Sequence, residues 1–433
     1  MREFAERRVI LAQKLLPNTI AVLPSHDTKS RNSDVEFPFR QDSNFYYLTG
    51  FKEPEAICVL VKDLLQKLRC ILFLRPRQPD AERWTGPRLG VEAAVKDYGF
   101  DEAYAIEEFP KRLHALLSGK DYIYHSLGHH LALDETIITA YKDVTAKAAK
   151  GIQAPAGIMN FLPFIHEMRL IKEPQELQLM KKAAYISAQA HKKLMKACIT
   201  ANWEYELEGI FSYECQMQGA RALAYSSIVA NGANANFLHY TSNDQPLKKG
   251  DLVLVDAGCE YEYYASDITR TYPVSGRFTE PQKAIYQLVL DSQLCAIEKI
   301  RPGLAWTALQ ETILEVLVKG LVNLGLLKGS VEELIKNKAY LKFYMHSSGH
   351  WLGLDVHDTG FYHDKGEARK LEAGMILTVE PGLYISANEA GVDPKWWDIG
   401  VRIEDDILVT PQGSEILSKD APKTIAEIEA WMQ

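Results

Sequence analysis

The chain has 433 residues, 47% of them hydrophobic and 24% charged, and a formal net charge of −8 at pH 7. That length exceeds one ordinary core, so two domains, or one large and one small, are expected in a composition typical of soluble globular proteins. The charge is spread without long like-charge runs, which argues against nucleic acid and against an anionic membrane surface as partners.

The six cysteines (Cys58, Cys70, Cys198, Cys215, Cys259, Cys295) show no C-x-x-C spacing, and several lie in apolar or helical runs where a free thiol behaves as a small hydrophobe. A reducing cytoplasm suits them. The N-terminus carries charges throughout its first fourteen residues and has no uninterrupted apolar stretch, against a secretory signal, and Glu3 and Glu6 count against a transit peptide. No stretch approaches the roughly 18 apolar residues of a transmembrane helix.

Residues from Met1 to about Gly157 read as a small α/β domain: a helix to Leu16, then strands at Thr19–Leu23, Ala56–Val61 and Cys70–Leu74. Its unusual feature is a run of rings, Phe37-Pro38-Phe39-Arg40-Gln41-Asp42-Ser43-Asn44-Phe45-Tyr46-Tyr47-Leu48-Thr49-Gly50, followed by Trp84-Thr85-Gly86-Pro87-Arg88. Core and loop packing accounts for most of it. The sharper reading has Trp84 reaching over a binding site on another subunit or domain.

Ala154-Pro155-Ala156-Gly157 is a plausible link, and Pro174 suits the first turn of a long helix. Amphipathic helices then run to about Cys198 and from Trp203 to Gln218, with strand material at Ala222–Val229. In Gly250-Asp251-Leu252-Val253-Leu254-Val255-Asp256-Ala257-Gly258 a buried strand ends on an acid, and Ser266-Asp267-Ile268-Thr269-Arg270-Thr271-Tyr272 alternates as a returning strand. A hairpin would bring Asp256 and Asp267 together. Facing residues on antiparallel strands lie about 4.5–5.5 Å apart, and two carboxylates that close in an apolar setting share a proton or hold a cation.

The second half repeats this order. Thr279 and Pro281 open a helix that stops before Pro302-Gly303, and another runs from about Trp306 to Leu324. Gly374-Met375-Ile376-Leu377-Thr378-Val379-Glu380-Pro381-Gly382 then reproduces the first pattern of Gly, apolar run, acid and Gly. The strand Gly400–Val409 puts Arg402 and Glu404 on one face by the period-2 rule. Between these strands, His346, His350 and His357 crowd one Gly-punctuated segment. Ser347-Ser348-Gly349 is a poor helix, so a helical H-E-x-x-H zinc site is not suggested; an imidazole beside clustered acids is what a mixed carboxylate and histidine metal site needs.

These residues resemble the metallopeptidase family of methionine aminopeptidase, prolidase and aminopeptidase P, the pita-bread fold. Within it, Phe39–Phe51 with Glu53-Pro54-Glu55, His166-Glu167-Met168-Arg169 and His350–Asp358 are most similar to the aminopeptidase P (Xaa-Pro aminopeptidase) group. The resemblance covers nearly the whole chain and implies an α+β protein. A C-terminal creatinase-like domain, 166–433, with duplicated helix-helix-strands halves, would follow a smaller α/β domain, 1–165.

The resemblance further implies five ligands to two divalent cations, with manganese the expected metal. Asp267 and Glu404 would bridge, Asp256 would bind one cation, His350 and Glu380 the other, and a hydroxide between them would attack the bond preceding proline. Glu380 would relay the proton, His239 and His357 would hold the scissile carbonyl and tetrahedral intermediate, Arg402 would orient Glu404, and Tyr384 would line a proline pocket. The partners implied are peptides with proline in second position, and the assembly a dimer or tetramer. The alternatives are a prolidase limited to Xaa-Pro dipeptides and a metal-free peptide-binding module, against which the complete ligand set speaks. Two departures from the commonest family pattern, Ser347-Ser348-Gly349 and one extra residue between His357 and Glu380, leave contacts in Phe361–Lys370 unassigned.

Overall fold

The computed structural model describes residues 2–433, in two units that part between Met168 and Arg169. In the first, Thr19–Pro24 is an apolar, almost wholly buried strand at the centre of a six-stranded mixed sheet. It pairs antiparallel with Ile57–Lys62 and parallel with Tyr122–Tyr124. Leu68–Leu74 continues the sheet on one side and Ile158–Met159 closes it on the other. Helices Phe109–Leu117 and Leu131–Thr145 cover one face, packing Phe109, Leu113, Ile137 and Val144 onto Ile20, Val22, Val59 and Phe73. The first helix, Arg2–Lys14, ends two residues short of Leu16.

The second part of the aromatic run, from Ser43, is core, as its packing reading expected, whereas Phe37 is exposed. Ser43–Thr49 forms a helix because the Asp42 side chain accepts the Phe45 N–H at 2.7 Å and Gly50, at φ 65°, ends it in the left-handed region. Phe45, Tyr46 and Tyr47 are buried, and the buried Arg8 guanidinium ties the helix end to the Tyr98–Gly99 corner. Trp84 differs from them: it is 89% exposed. The link expected at 154–157 is an irregular stretch inside the first unit, held beside the sheet where Ala156 N–H donates to Asp121 O and Ile123 N–H to Gly157 O, and it leads into the edge strand Ile158–Met159.

The second unit repeats one order. Helix Pro174–Cys198 opens with a capping box between Glu173 and Glu176, and Glu204–Met217 follows it. Helix Glu280–Lys299 opens with the corresponding box between Thr279 and Gln282, and Thr307–Asn323 follows. Each pair lies against strands: Ile228–Asn231, Leu252–Asp256 and Thr269–Pro273 in one half, Ile376–Val379, Asp405–Thr410 and Gly413–Ile416 in the other. Val253, Val255, Leu377, Val379, Ile407 and Val409 share one core with the helices. Each such fully buried side chain contributes about 1.5–3 kcal/mol. Among the described residues no helix is long and apolar enough to cross a membrane.

The strands depart from the sequence reading where they carry acids. Asp256 pairs across the ladder with Thr269, so Asp267 lies beyond the strand end and does not face Asp256 directly. The chain between them makes a second small hairpin, Cys259–Tyr261 with Tyr264–Ala265. Gly258 permits this return, since a Cβ there would lie 1.8 Å from Ser266 O. The strand expected over Gly400–Val409 is broken at 403–404: Ile399–Arg402 pairs with Gly382–Ile385, and Asp405–Thr410 pairs with Ile376–Val379. Glu404 and Glu380 occupy the two breaks.

Arg270 joins the halves. Fully buried, it donates to Asp405 Oδ1 at 2.7 Å, to Glu404 O at 2.6 Å and to the carbonyls of Thr269, Ala421 and Pro422. Removing one partner of such a pair strands the other charge in the core, so Arg270→Met should lower the stability of this unit by about 3–5 kcal/mol in denaturant titration. A loss below about 1 kcal/mol would mean that Lys423, which also reaches Asp405, suffices alone.

Candidate metal centre

The second unit holds a cavity of about 390 Å³ lined by Asp256, Asp267, Glu380, Glu404, Arg402 and the histidines 239, 346, 350 and 357, with Leu238, Trp306 and Tyr362 among its remaining walls. Its acids arrive from strand ends and breaks in both halves. Cross-links between the halves fix them: Glu404 N–H donates to Thr269 O at 3.1 Å, and Asp267 N–H donates to the Asp406 carboxylate at 3.1 Å. One ligand atom each from Asp267, His350 and Glu404 lies within 4.8 Å of the other two.

His350 rides on a segment laid alongside Ile376–Val379. Its backbone N–H donates to Thr378 Oγ1 and its carbonyl accepts the Thr378 N–H. Gly349 makes the approach possible, since a Cβ there would come within 2.1 Å of Thr378 O. The ring Nδ1 lies 3.0 Å from Trp351 O, so a proton held there leaves the Nε2 lone pair facing Asp267 Oδ2 at 3.3 Å and Glu380 Oε1 at 3.6 Å. This is the orientation a ligating imidazole requires.

Four carboxylates face this space with one guanidinium beside them. Burial pushes Glu380 up to about 7, and burial together with the Asp267 charge holds Glu404 and Asp406 well above the carboxylate range. Burial also raises Asp256 despite Arg402, whose Nη2 donates to it at 2.7 Å. In Asp267 burial is outweighed by His350 and Tyr225, so its carboxyl sits low; burial opposes charging of His350 too, yet Asp267 and Glu380 lift it to about 9. Tyr225 Oη lies 2.6 Å from both Asp256 Oδ1 and Asp267 Oδ1. A phenol donates one proton, so both contacts are hydrogen bonds only when one acid is itself protonated. Divalent cations would relieve each of these protonations, and oxygen and imidazole donors suit hard or borderline ions. The residues therefore fit the group that the family resemblance implies.

The remaining expected residues divide by depth. His239 and His357 are exposed at the cavity wall, the His357 ring 4.2 Å from that of His350. Arg402 is buried, contacts Asp256 directly, and reaches Glu404 through Thr269, which accepts from Arg402 Nε and donates to Glu404 Oε2. Tyr384 is 2% exposed, behind the lining; its hydroxyl accepts from Arg402 Nη1 at 3.0 Å and lies 2.8 Å from His346 Nε2. Trp84 belongs to the first unit. Of Phe361–Lys370, Tyr362 reaches the cavity wall and its hydroxyl accepts the Trp351 N–H.

Several participants carried no sequence signal. Tyr225 precedes a strand by three residues in an irregular stretch, and its partners lie 31 and 42 positions away. Thr269, Thr378 and Asp406 act through contacts that no local pattern encodes. His346 stood in the histidine cluster without a role; burial, with Arg402 beside it, holds its pKa down to about 3, a neutral ring facing Tyr384.

Comparison with known proteins agrees with this geometry. Residues 178–411 match metallopeptidase family M24, and residues 4–124 match the aminopeptidase P N-terminal domain. The chain is 43% identical over 431 residues to a Xaa-Pro aminopeptidase of Escherichia coli and 46% identical over 430 residues to one of Haemophilus influenzae; the first alignment covers 100% and the second 99% of this chain, and each covers 97% of the relative. The structure of Pseudomonas aeruginosa aminopeptidase PepP superposes with a TM-score of 0.97 at 47% identity, covering 100% of this chain and 97% of that one. A zinc-substituted E. coli aminopeptidase P in complex with product matches with the same score at 43% identity, covering 100% and 98%. The chain belongs to metallopeptidase family M24, in its aminopeptidase P group with the pita-bread catalytic fold, and is a metal-dependent hydrolase.

Proposed function

We infer that the protein is a Xaa-Pro aminopeptidase that removes the first residue of peptides with proline in second position, using two divalent cations, with manganese preferred. The observation that carries this reading is the cluster of Asp267, His350 and Glu404 ligand atoms in a cavity whose carboxylates exceed its fixed positive charge. Relatives of that activity, aligned along the whole chain, supply the substrate class. The N-terminal domain, 1–165, and the catalytic domain, 166–433, follow the same division of labour. The free cysteines suit a reducing cytoplasm, and Trp84, exposed on the first unit, would serve a neighbouring subunit of a homo-oligomer.

In this reading Asp256, Asp267, His350, Glu380 and Glu404 would hold the cations, Asp267 and Glu404 shared between them, Asp256 serving one and His350 with Glu380 the other. Bound there, the cations would supply an activated water at neutral pH and polarise the carbonyl under attack. Glu380, buried at the cavity wall, would take the water's proton and hand it to the departing prolyl nitrogen. His239 and His357 donate to the carbonyl oxygen as negative charge develops. Arg402, His346 and Tyr384 form a fixed hydrogen-bonded wall, against which a proline ring is selected by shape. Beyond the ligand cluster a second cavity of about 460 Å³ shares Trp306, His346, Ser347 and Gly349 with the first, room that favours a substrate continuing past proline over a dipeptide.

Chelation should abolish activity, and Mn²⁺ should restore it best; full turnover with metal absent by elemental analysis would sink the dinuclear reading. Asp267→Ala and Glu404→Ala should lose metal and activity together. His357→Ala should keep its metal and lose about 10²-fold in kcat. Metal loss in that variant would make His357 a ligand.

The metal-free protein should also report its crowded acids through pH. The folded values of Glu380 and His350 lie above their unfolded ones, so their contributions are complete below pH 4.5 and 6.5 and are lost as pH rises to about 7 and about 9 respectively. The depressed histidines 191 and 346 work the other way below pH 6.5, so its melting temperature should fall between about pH 6.5 and 9, and Mn²⁺, which needs deprotonated ligands, should flatten or reverse the trend. A chelated sample that gains stability over that interval would contradict this charge distribution.

Given Xaa-Pro-Xaa tripeptides and longer peptides, the enzyme should release only the first residue, at least as efficiently as from Xaa-Pro dipeptides, while alanine in place of proline should make poor substrates. Mass spectrometry that finds turnover of dipeptides alone would establish the prolidase alternative.

A further inference from the structure

His239 reaches the cavity from residues 231–245, which leave the strand Ile228–Asn231 through the short turn Gly232–Asn236 and are irregular from there on. Such a segment does not fix an exposed imidazole by its own backbone ladder. Asn243 ties it to Ser227 and Val229, Asn231 to Asp251 and Asn236 to Ile385 O, but one side chain from outside gathers more of its hydrogen bonds than any other. Glu204, the first residue of helix Glu204–Met217, is fully buried and accepts four hydrogen bonds from this segment. The Asn231 N–H and Asn234 Nδ2 donate to Oε1 at 2.8 and 3.0 Å, and the Tyr240 hydroxyl and Gln245 N–H donate to Oε2 at 2.8 and 3.0 Å. The Glu204 N–H returns a bond to Gln245 O.

Both carboxylate oxygens are thus occupied, from both ends of the loop and from its interior. A glutamine of the same shape offers one acceptor oxygen; the Tyr240 hydroxyl can reverse to accept from its NH₂ group, but the Gln245 N–H beside it cannot. The two carboxylate oxygens take all four donors without such a clash, at a helix start that favours them. The clamped segment also rests on the strand of Arg402: a Cβ at Gly400 would meet Ala235 Cβ at 2.6 Å.

We propose that Glu204 is a positioning residue for the hydrolysis, clamping residues 231–245 so that His239 is held ready at the cavity wall before substrate arrives. The proposal rests on the catalytic reading of His239 given above. Its reach is kinetic: misplacing a group that serves the transition state lowers kcat, whereas a residue that merely stabilises the fold does not.

The test is a double-mutant cycle of Glu204→Gln and His239→Ala in the manganese-loaded full chain, with metal content by elemental analysis and hydrogen exchange of the 231–245 amides as readouts besides turnover. Glu204→Gln should keep both metals, exchange faster in that segment, and lose about tenfold or more in kcat/KM, chiefly through kcat. His239→Ala should cost much less in the Glu204→Gln background than alone, because the two act as one unit. Independent, multiplying losses, or an activity within about twofold of the unaltered enzyme while His239→Ala alone is costly, would overturn the clamp. If Glu204→Gln does not fold, Tyr240→Phe, which removes one of the four donors, enters the same cycle with the same criteria. An inert His239→Ala would instead overturn the reading of His239, and the exchange rates of 231–245 would still decide whether Glu204 clamps the loop.

Discussion

The catalytic unit is organised by an electrostatic imbalance that the fold maintains. Asp256, Asp267, Glu380 and Glu404 converge on one cavity with a single guanidinium, Arg402, among them. Buried carboxylates without compensation protonate or draw in cations. The upward shifts of Glu380, Glu404 and Asp256 show the first outcome, and the clustered ligand atoms of Asp267, His350 and Glu404 provide for the second. Metal affinity and folded stability are therefore one quantity viewed from two sides, since whatever binds this arrangement and not the unfolded chain stabilises it.

Three consecutive acids show how finely the backbone sorts this charge. Glu404 faces the cavity and is pushed well up. Asp405, its neighbour, points into the core between Arg270 and Lys423, and although burial opposes ionisation, these two cations hold it down at about 2. Asp406 turns back to receive the Asp267 N–H, and burial with the Asp267 charge raises it again. The strand break at 403–404 makes this possible by passing the chain from one sheet to the next, so that adjacent residues meet different surroundings. Arg270 spans the same break, so one buried cation both adds to the cross-links between the halves and holds the Glu404 carbonyl.

This also explains what could be read from the sequence. The helices were legible because caps and prolines are local: Pro174, and Thr279 with Pro281, stand where the helices begin. The acids were legible because Gly, apolar run, acid and Gly recurs in both halves. Direct pairing of Asp256 with Asp267 was not what formed, since period-2 alternation contains no sign of the extra hairpin that Gly258 allows. The break at Glu404 was hidden for a different reason: the three acids Glu404-Asp405-Asp406 interrupt the alternation between Ile403 and Ile407, but nothing local says that the hydrogen-bonding partner changes there. Tyr225, Thr269 and Glu204 were invisible because each works through partners distant in the chain, and no residue-type pattern announces that a tyrosine will meet two aspartates.

The structure finally separates two kinds of histidine. His350 is held by Thr378 on one side and the Trp351 carbonyl on the other, in line with a strand, its side chain 12% exposed. His239 and His357 sit on irregular segments and face solvent. A ligand must be desolvated and fixed in advance, because an ion tolerates little error in distance; a group that meets a peptide must stay accessible until the peptide arrives. Strands supply the first property and loops the second. The cost of the loop is imprecision, which is why the anchors behind it, buried and remote from the chemistry, carry so much of the burden: four hydrogen bonds on Glu204 behind His239, and the ion pairs of Asp358 with Arg169 and Lys172 behind His357.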